Sequence, residues 1–165
     1  MEWILAATLL LCDDEKAELG KVVPELLLKD LTGKEVKLSE LRGKAVLIHF
    51  WSYKCPSGTR ILSEVRELAE KCEKDGVVFF GICSYGESEA QLKKFAEKEQ
   101  VKYPLCFDSQ KKGAKLFGAE VVTTSYVLDK EGKLVYRGAW DKAWDAAAAA
   151  KEGKEVEVKE TKAKG

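Results

Sequence analysis

The sequence predicts one α/β domain in three layers, a central mixed β-sheet flanked by helices, with an extended hairpin ahead of it. Two apolar runs, "KAVLIHFW" and "VVFFGIC", lack polar alternation, as strands covered on both faces do. A segment of helical periodicity joins them, and such crossovers are right-handed, so both strands point the same way. Downstream, "TTSYVLDKEGKLVYRG" reads as two strands around "DKEG", which adds antiparallel partners and makes the sheet mixed.

In chain order, "VVPELLLKDLTGKEVKLSEL" begins the domain with two short extended segments around the turn "LTGKE". The strand "KAVLIHFW" follows. "CPSGTRILSEVRELAEKCEKDG" carries Ile61, Leu62, Val65, Leu68, Ala69 and Cys72 on one helical face. Pro56 suits its first helical position and Gly76 follows its end, so the pattern predicts one continuous helix. After "VVFFGIC" come an amphipathic helix in "ESEAQLKKFAEKEQ", a short extended "KYPLCFD", and a short helix closed by Gly118. The hairpin and a helix from about Trp140 through "DAAAAAKEG" complete the domain, placed at residues 21–151. Residues 152–165 read as a polar, loosely held tail. Arg137 and Trp140 read as a strand-edge cation and a packing aromatic.

Residues 1–20 form a separate N-terminal segment, a degenerate export signal or a packed helix. The apolar stretch in "MEWILAATLLLCDDE" is too short to span a bilayer. Glu2 replaces a basic flank and Leu11 precedes Cys12 where cleavage needs a small residue. The compartment is left open, exported or cytoplasmic.

Lys and Arg number 28, as do Asp and Glu, so no bulk charge exists to hold nucleic acid or an anionic membrane. The charge runs are solvated helix faces. Five cysteines without a CxxC pair make a poor disulfide framework, and one histidine, His49, makes a poor zinc site. No cofactor and no metal are expected.

The chemistry points to "HFWSYKCPSGTR". Cys55 falls where a helix begins at the carboxyl end of a central strand, the place where such sheets build sites. A thiol reacts as thiolate, and a helix N-terminus with nearby cations, here Lys54 and Arg60, favours that form. Cys55 lies off its helix's apolar stripe, whereas Cys72 lies on it and reads as core. Cys83, at the end of the neighbouring strand, is a candidate second thiol, provided the two Cα atoms stand within about 7 Å. Cys106 reads as structural, and Cys12 has no assigned role.

The segment "GKAVLIHFWSYKCPSGTRILSEV" resembles the active-site region of the thioredoxin-like superfamily. The rest, through "AKLFGAEVVTTSYVLDKEGKLVYRGAWD", resembles its redoxin branch. That branch comprises alkyl hydroperoxide reductase/thiol-specific antioxidant (AhpC/TSA) proteins and exported thiol-disulfide oxidoreductases of cytochrome c maturation. The resemblance implies a thioredoxin-like fold, with Cys55 as the attacking cysteine and a substrate-facing loop at Thr123 and Thr124. Gly58 stands where a resolving cysteine is expected. Thr123 stands where a cis-proline is expected; a cis bond costs a non-proline residue about 2.5–4 kcal/mol, so a trans bond is predicted. In peroxiredoxins a proline and a threonine precede the reactive cysteine; Ile48 and Ser52 hold those positions. His49 lies near a buried acid of thioredoxins, but without a second thiol to serve it reads as a hydrogen-bonded core residue.

The expectation is a single-cysteine oxidoreductase, a redox-active antioxidant-type enzyme of cell redox homeostasis. It would use Cys55, with Ser52, Lys54, Arg60 and Cys83 as supporting candidates. Its substrate would be a small peroxide, or a protein or low-molecular-weight disulfide, and an external thiol reductant would resolve Cys55. Neither nucleic acid nor a membrane span is expected among its partners. The competing class is a non-catalytic thioredoxin-fold binding module. A third, metal binding by Cys55 across a dimer, needs a shared thiolate.

Overall fold

A computed structural model describes residues 15–163. The reading of residues 1–14, Cys12 included, lies outside them. A five-stranded sheet in the order β5-β4-β3-β6-β7 forms the centre. Its strands are β3 (Val46–Phe50), β4 (Val78–Cys83), β5 (Leu105–Phe107), β6 (Thr124–Leu128) and β7 (Leu134–Ala139). β3 pairs parallel with β4 and antiparallel with β6, and β4 pairs parallel with β5. The expected hairpin is β1 (Leu27–Lys29) with β2 (Glu35–Lys37), anchored to the β5 edge where Leu31 N–H donates to Leu105 O at 3.0 Å.

All five residues of β3 are buried, which explains the unbroken apolar run. Alternation within it feeds two layers. Val46, Ile48 and Phe50 join Phe80, Ile82, Tyr126 and Phe117 on one face. Leu47 joins Phe79, Val127 and Tyr136 on the other, covered by Val65, Leu68 and Cys72 and by Ala143, Ala146, Ala147 and Ala150. The helices are α1 (Pro56–Arg60), α2 (Leu62–Lys74), α3 (Glu89–Lys98), α4 (Lys112–Phe117) and α5 (Trp140–Glu152). α5 is rich in alanine where it meets the sheet, so its backbone packs close. Asp108 is buried and starts α4: its two carboxylate oxygens accept from Lys112 N–H and Ala114 N–H, and Oδ2 also accepts from Ser84 Oγ–H at 2.7 Å.

Two expectations are corrected. The helix after Cys55 is not continuous, because Ile61 (φ −97°, ψ 11°) leaves helical geometry and separates α1 from α2. The cause lies beneath α1: Trp51 Nε1–H donates to the Gly58 carbonyl at 3.0 Å, so the first turn is oriented by the strand end rather than by α2. The tail is also not loosely held. Arg137 N–H donates to Lys159 O and Thr161 N–H to Arg137 O, which adds an extended segment to the β7 edge. Thr161 Oγ accepts from Ala139 N–H at 2.9 Å and shares a 2.6 Å bond with the Tyr136 hydroxyl. Polarity does not release this segment, because β7 had an unpaired edge to satisfy. Among the described residues no helix is long and apolar enough to cross a membrane.

Candidate functional site

Cys55 caps α1 in extended geometry (φ −92°, ψ 123°), with Pro56 as the first helical residue. Its carbonyl accepts from Thr59 N–H at 3.1 Å, so backbone bonding closes the turn and leaves the thiol half-buried at the sheet's carboxyl edge. Ser52 is buried, and its Oγ accepts from Lys54 N–H at 3.2 Å, which shapes the loop leading to Cys55. Lys54 itself reaches away: its ammonium donates to the Gly86 carbonyl at 2.8 Å and ties the Cys55 loop to the β4–α3 loop. Arg60 is exposed at the end of α1.

The floor of the site is aromatic. Trp51 lies 5.2 Å from Phe95 of α3, and Tyr53 stacks on the same ring at 5.4 Å. The Tyr53 hydroxyl donates to Gln91 Oε1 at 2.8 Å. Gly58 is packed into this floor. A β-carbon there would stand 2.5 Å from the Ser52 carbonyl oxygen and 3.3 Å from the indole of Trp51. A second cysteine is therefore missing from the sequence and has no room in the fold.

Of the four described cysteines, Cys55 is half-buried while Cys72, Cys83 and Cys106 are buried, all as free thiols. Burial pushes Cys72 and Cys106 up to about 12. Cys83 is raised well above the ordinary thiol range by burial, with Glu87 and Cys106 adding to it. These three are small core residues in character. His49 is wholly buried; its Nδ1 bonds Ser125 Oγ at 2.9 Å, and burial depresses its pKa to about 3, so it is neutral in the fold.

All described peptide bonds are trans. Thr123 adopts φ +77°, a conformation rare for a β-branched residue, and is buried. Its N–H donates to the Phe50 carbonyl at 2.9 Å, which pins the loop before β6 to the end of β3. Thr124 Oγ–H donates to Val121 O at 2.8 Å. This loop and the Cys55 loop thus share the end of β3.

Sequence reasoning missed Tyr85 and Glu87, on the loop after β4. Tyr85 N–H donates to Glu87 Oε2 at 3.0 Å, and Glu87 is buried. Burial raises the Tyr85 phenol above its usual range, with Tyr126, Cys83, Glu87 and Cys55 adding to it. Their signal is positional: they follow a buried parallel strand at its carboxyl end, where pattern alone singles out only Cys83. Among the described residues no group of three or more His, Cys, Asp or Glu side chains is placed to hold a metal ion.

Comparison with known proteins agrees with this architecture. A thiol-disulfide oxidoreductase ResA of Bacillus cereus is 33% identical over 126 residues, covering 74% of this chain and 70% of that protein. The chloroplastic peroxiredoxin Q of Gentiana triflora is 35% identical over 131 residues, covering 73% of this chain and 59% of that protein. Among solved structures, the exposed lipoprotein thioredoxin of Streptococcus pneumoniae superposes with a TM-score of 0.67 at 26% identity, covering 76% of this chain and 98% of that one. The fold is thioredoxin-like. The sequence pattern of the AhpC/TSA family matches residues 19–137, and the chain belongs to that family.

Proposed function

We propose that the protein is a thiol oxidoreductase that works through Cys55 alone. The observation that carries this is the contrast among its thiols: Cys55 is half-buried at the sheet's carboxyl edge, the other described cysteines are enclosed, and position 58 has no space for a partner. The Cys55 thiolate attacks a disulfide or a peroxide. With a disulfide, the Cys55 Sγ–S bond forms as the substrate S–S bond breaks and a thiolate leaves. With a peroxide, the Cys55 Sγ–O bond forms as the O–O bond breaks, the departing oxygen leaves as alkoxide or hydroxide and takes up a proton to give alcohol or water, and Cys55 becomes a sulfenic acid. The mixed disulfide is resolved by an external low-molecular-weight or protein thiol that attacks the outer sulfur and releases the Cys55 thiolate. The sulfenic acid needs two such thiols, the first forming a mixed disulfide with Cys55 as water leaves, the second attacking the outer sulfur to release Cys55 and a disulfide. Cys83 is an unsuitable resolving group, since burial keeps it protonated and enclosed. The names of the relatives, a thiol-disulfide oxidoreductase and a peroxiredoxin, support this reaction class.

The test is turnover of hydrogen peroxide and of a small disulfide with glutathione or dithiothreitol as reductant. The parent turns over at least one of them and Cys55→Ser neither; equal rates in both proteins would overturn the assignment. The tight packing at Gly58 also suits a second reading, a binding module whose surface is the Cys55 and Thr123 loops. Partner capture that survives Cys55→Ala, in a protein without turnover, would decide for it.

A further inference from the structure

Apart from the Cys55 and Thr123 loops, a groove of about 540 Å³ runs between α2 and residues 100–104. That volume lies within the range of small-molecule sites, about 300–1,000 Å³. Its apolar lining is Ala69 from α2, Val77 and Phe79 at the start of β4, and Pro104. The Tyr103 ring stands edge-on to Phe79 at 5.0 Å and completes it. The Tyr103 hydroxyl is enclosed and has no hydrogen-bond partner among the described residues, a cost that phenylalanine would not carry.

Charge is placed unevenly along this groove. α2 turns into β4 at Asp75 and Gly76, so the two run antiparallel, and Val77 lies at the end of α2 that carries Glu70 and Glu73. Tyr103 lies further along β4, against Gly81, where a β-carbon would stand 3.3 Å from its ring. Arg66 belongs to that end: its charge bears on the phenol, and its guanidinium donates to the Glu99 carbonyl across the groove. Lys102 and Glu67 also line the groove. Glu67, Glu70, Glu73 and Lys102 are exposed and form no ion pair among the described residues.

We propose that this groove binds a zwitterionic dipeptide with apolar side chains. The ligand's ammonium meets Glu70 and Glu73. Its carboxylate meets Arg66, Lys102 and the Tyr103 hydroxyl, and its side chains cover Phe79 and Pro104. At a rise of about 1.5 Å per residue, Arg66 stands about 6 Å from Glu70 and about 10 Å from Glu73 along the helix axis. An extended dipeptide spans about 7 Å, and a single amino acid about half of that. A purely anionic ligand would face three carboxylates, while a purely cationic one would leave Arg66 and the Tyr103 hydroxyl unanswered. No step of thiol chemistry at Cys55 enters this binding.

The experiment is calorimetric titration of the full chain with leucyl-phenylalanine, its N-acetyl derivative and its C-terminal amide. The free dipeptide binds saturably, and blocking either terminus weakens binding by at least about threefold, as loss of a partly exposed charge contact does. In the double variant Glu70→Gln, Glu73→Gln the advantage over the N-acetyl derivative disappears while the advantage over the amide stays. Arg66→Gln shows the opposite pattern, and Tyr103→Phe reduces the advantage over the amide. Each reading is a ratio of two ligands on one protein, so a general loosening of the fold does not imitate it. Cys55→Ser binds as the parent does, so failure of the redox assignment leaves this site intact. Three results overturn the proposal: no saturable binding of the free dipeptide, a blocked derivative that binds as tightly as the free one, or ratios unchanged in the variants.

Discussion

Gly58→Ala separates two opposite expectations for one methyl group. In an unhindered helix, replacing glycine by alanine stabilises by about 0.5–1 kcal/mol through backbone entropy. Here the added β-carbon would stand 2.5 Å from the Ser52 carbonyl oxygen and 3.3 Å from Trp51 Cδ1 and Nε1. The nearest obstacle is backbone, which cannot rotate away, and the Trp51 Nε1–H to Gly58 O bond of 3.0 Å shares the same ground. Overpacking of this kind costs about 1–3 kcal/mol, which outweighs the entropy gain. The net expectation is a loss of about 1–2 kcal/mol. For a chain of this size that lowers the melting temperature by about 2–8 °C. Scanning calorimetry, checked by urea denaturation, reads it directly. An alanine variant that melts at or above the parent would refute the reasoning. Gly58→Cys carries the same β-carbon and melts lower too, so restoring a dithiol motif here begins from a destabilised site.

Thr123→Pro removes the N–H that bonds Phe50 O at 2.9 Å and demands φ near −65° where the chain has +77°. A loss of about 3 kcal/mol or more in urea denaturation is expected, and parent-like stability would contradict it. His49, neutral in the fold with a pKa of about 3, titrates near 6.5 when unfolded, so the unfolded chain binds the extra proton. Its contribution is fully present above pH 6.5 and is lost as pH falls towards 3, at a slope of up to about 1.4 kcal/mol per pH unit. His49→Gln should flatten that part of the stability curve; an unchanged slope would assign it elsewhere. In a Cys12→Ser background, iodoacetamide should modify one thiol, Cys55, in the native protein, with Cys72, Cys83 and Cys106 following only on unfolding. Intact mass spectrometry counts the adducts, and a fast second equivalent would show an accessible core thiol. Thr161→Val breaks the two bonds its hydroxyl makes to Ala139 N–H and the Tyr136 hydroxyl. It should cost about 1–3 kcal/mol and speed amide exchange at Arg137 and Thr161, and unchanged exchange would place the tail's anchor elsewhere.

Local pattern carried most of the architecture. The two buried strands, the helix stripe through Val65, Leu68 and Cys72, the Gly118 stop and the closing hairpin all follow from periodicity and turn residues. Ile61 shows where pattern stops. It sits on the apolar stripe, and only the indole of Trp51 beneath α1 explains why the helix breaks there. The tail shows the same limit, since a polar segment is ordered by an edge strand elsewhere in the chain.

For the site, the sequence by itself determined that Cys55 begins a helix after a central strand, and that no cysteine follows at position 58. Those are facts of residue identity and local order. The tertiary structure decided what they mean. It closed the space beside Gly58, enclosed Cys83, and turned Lys54 towards Gly86. It also tied the loop after β4, which carries Gly86, to the residue before Cys55. Burial and long-range contact are properties of the packed chain, and no local window contains both partners.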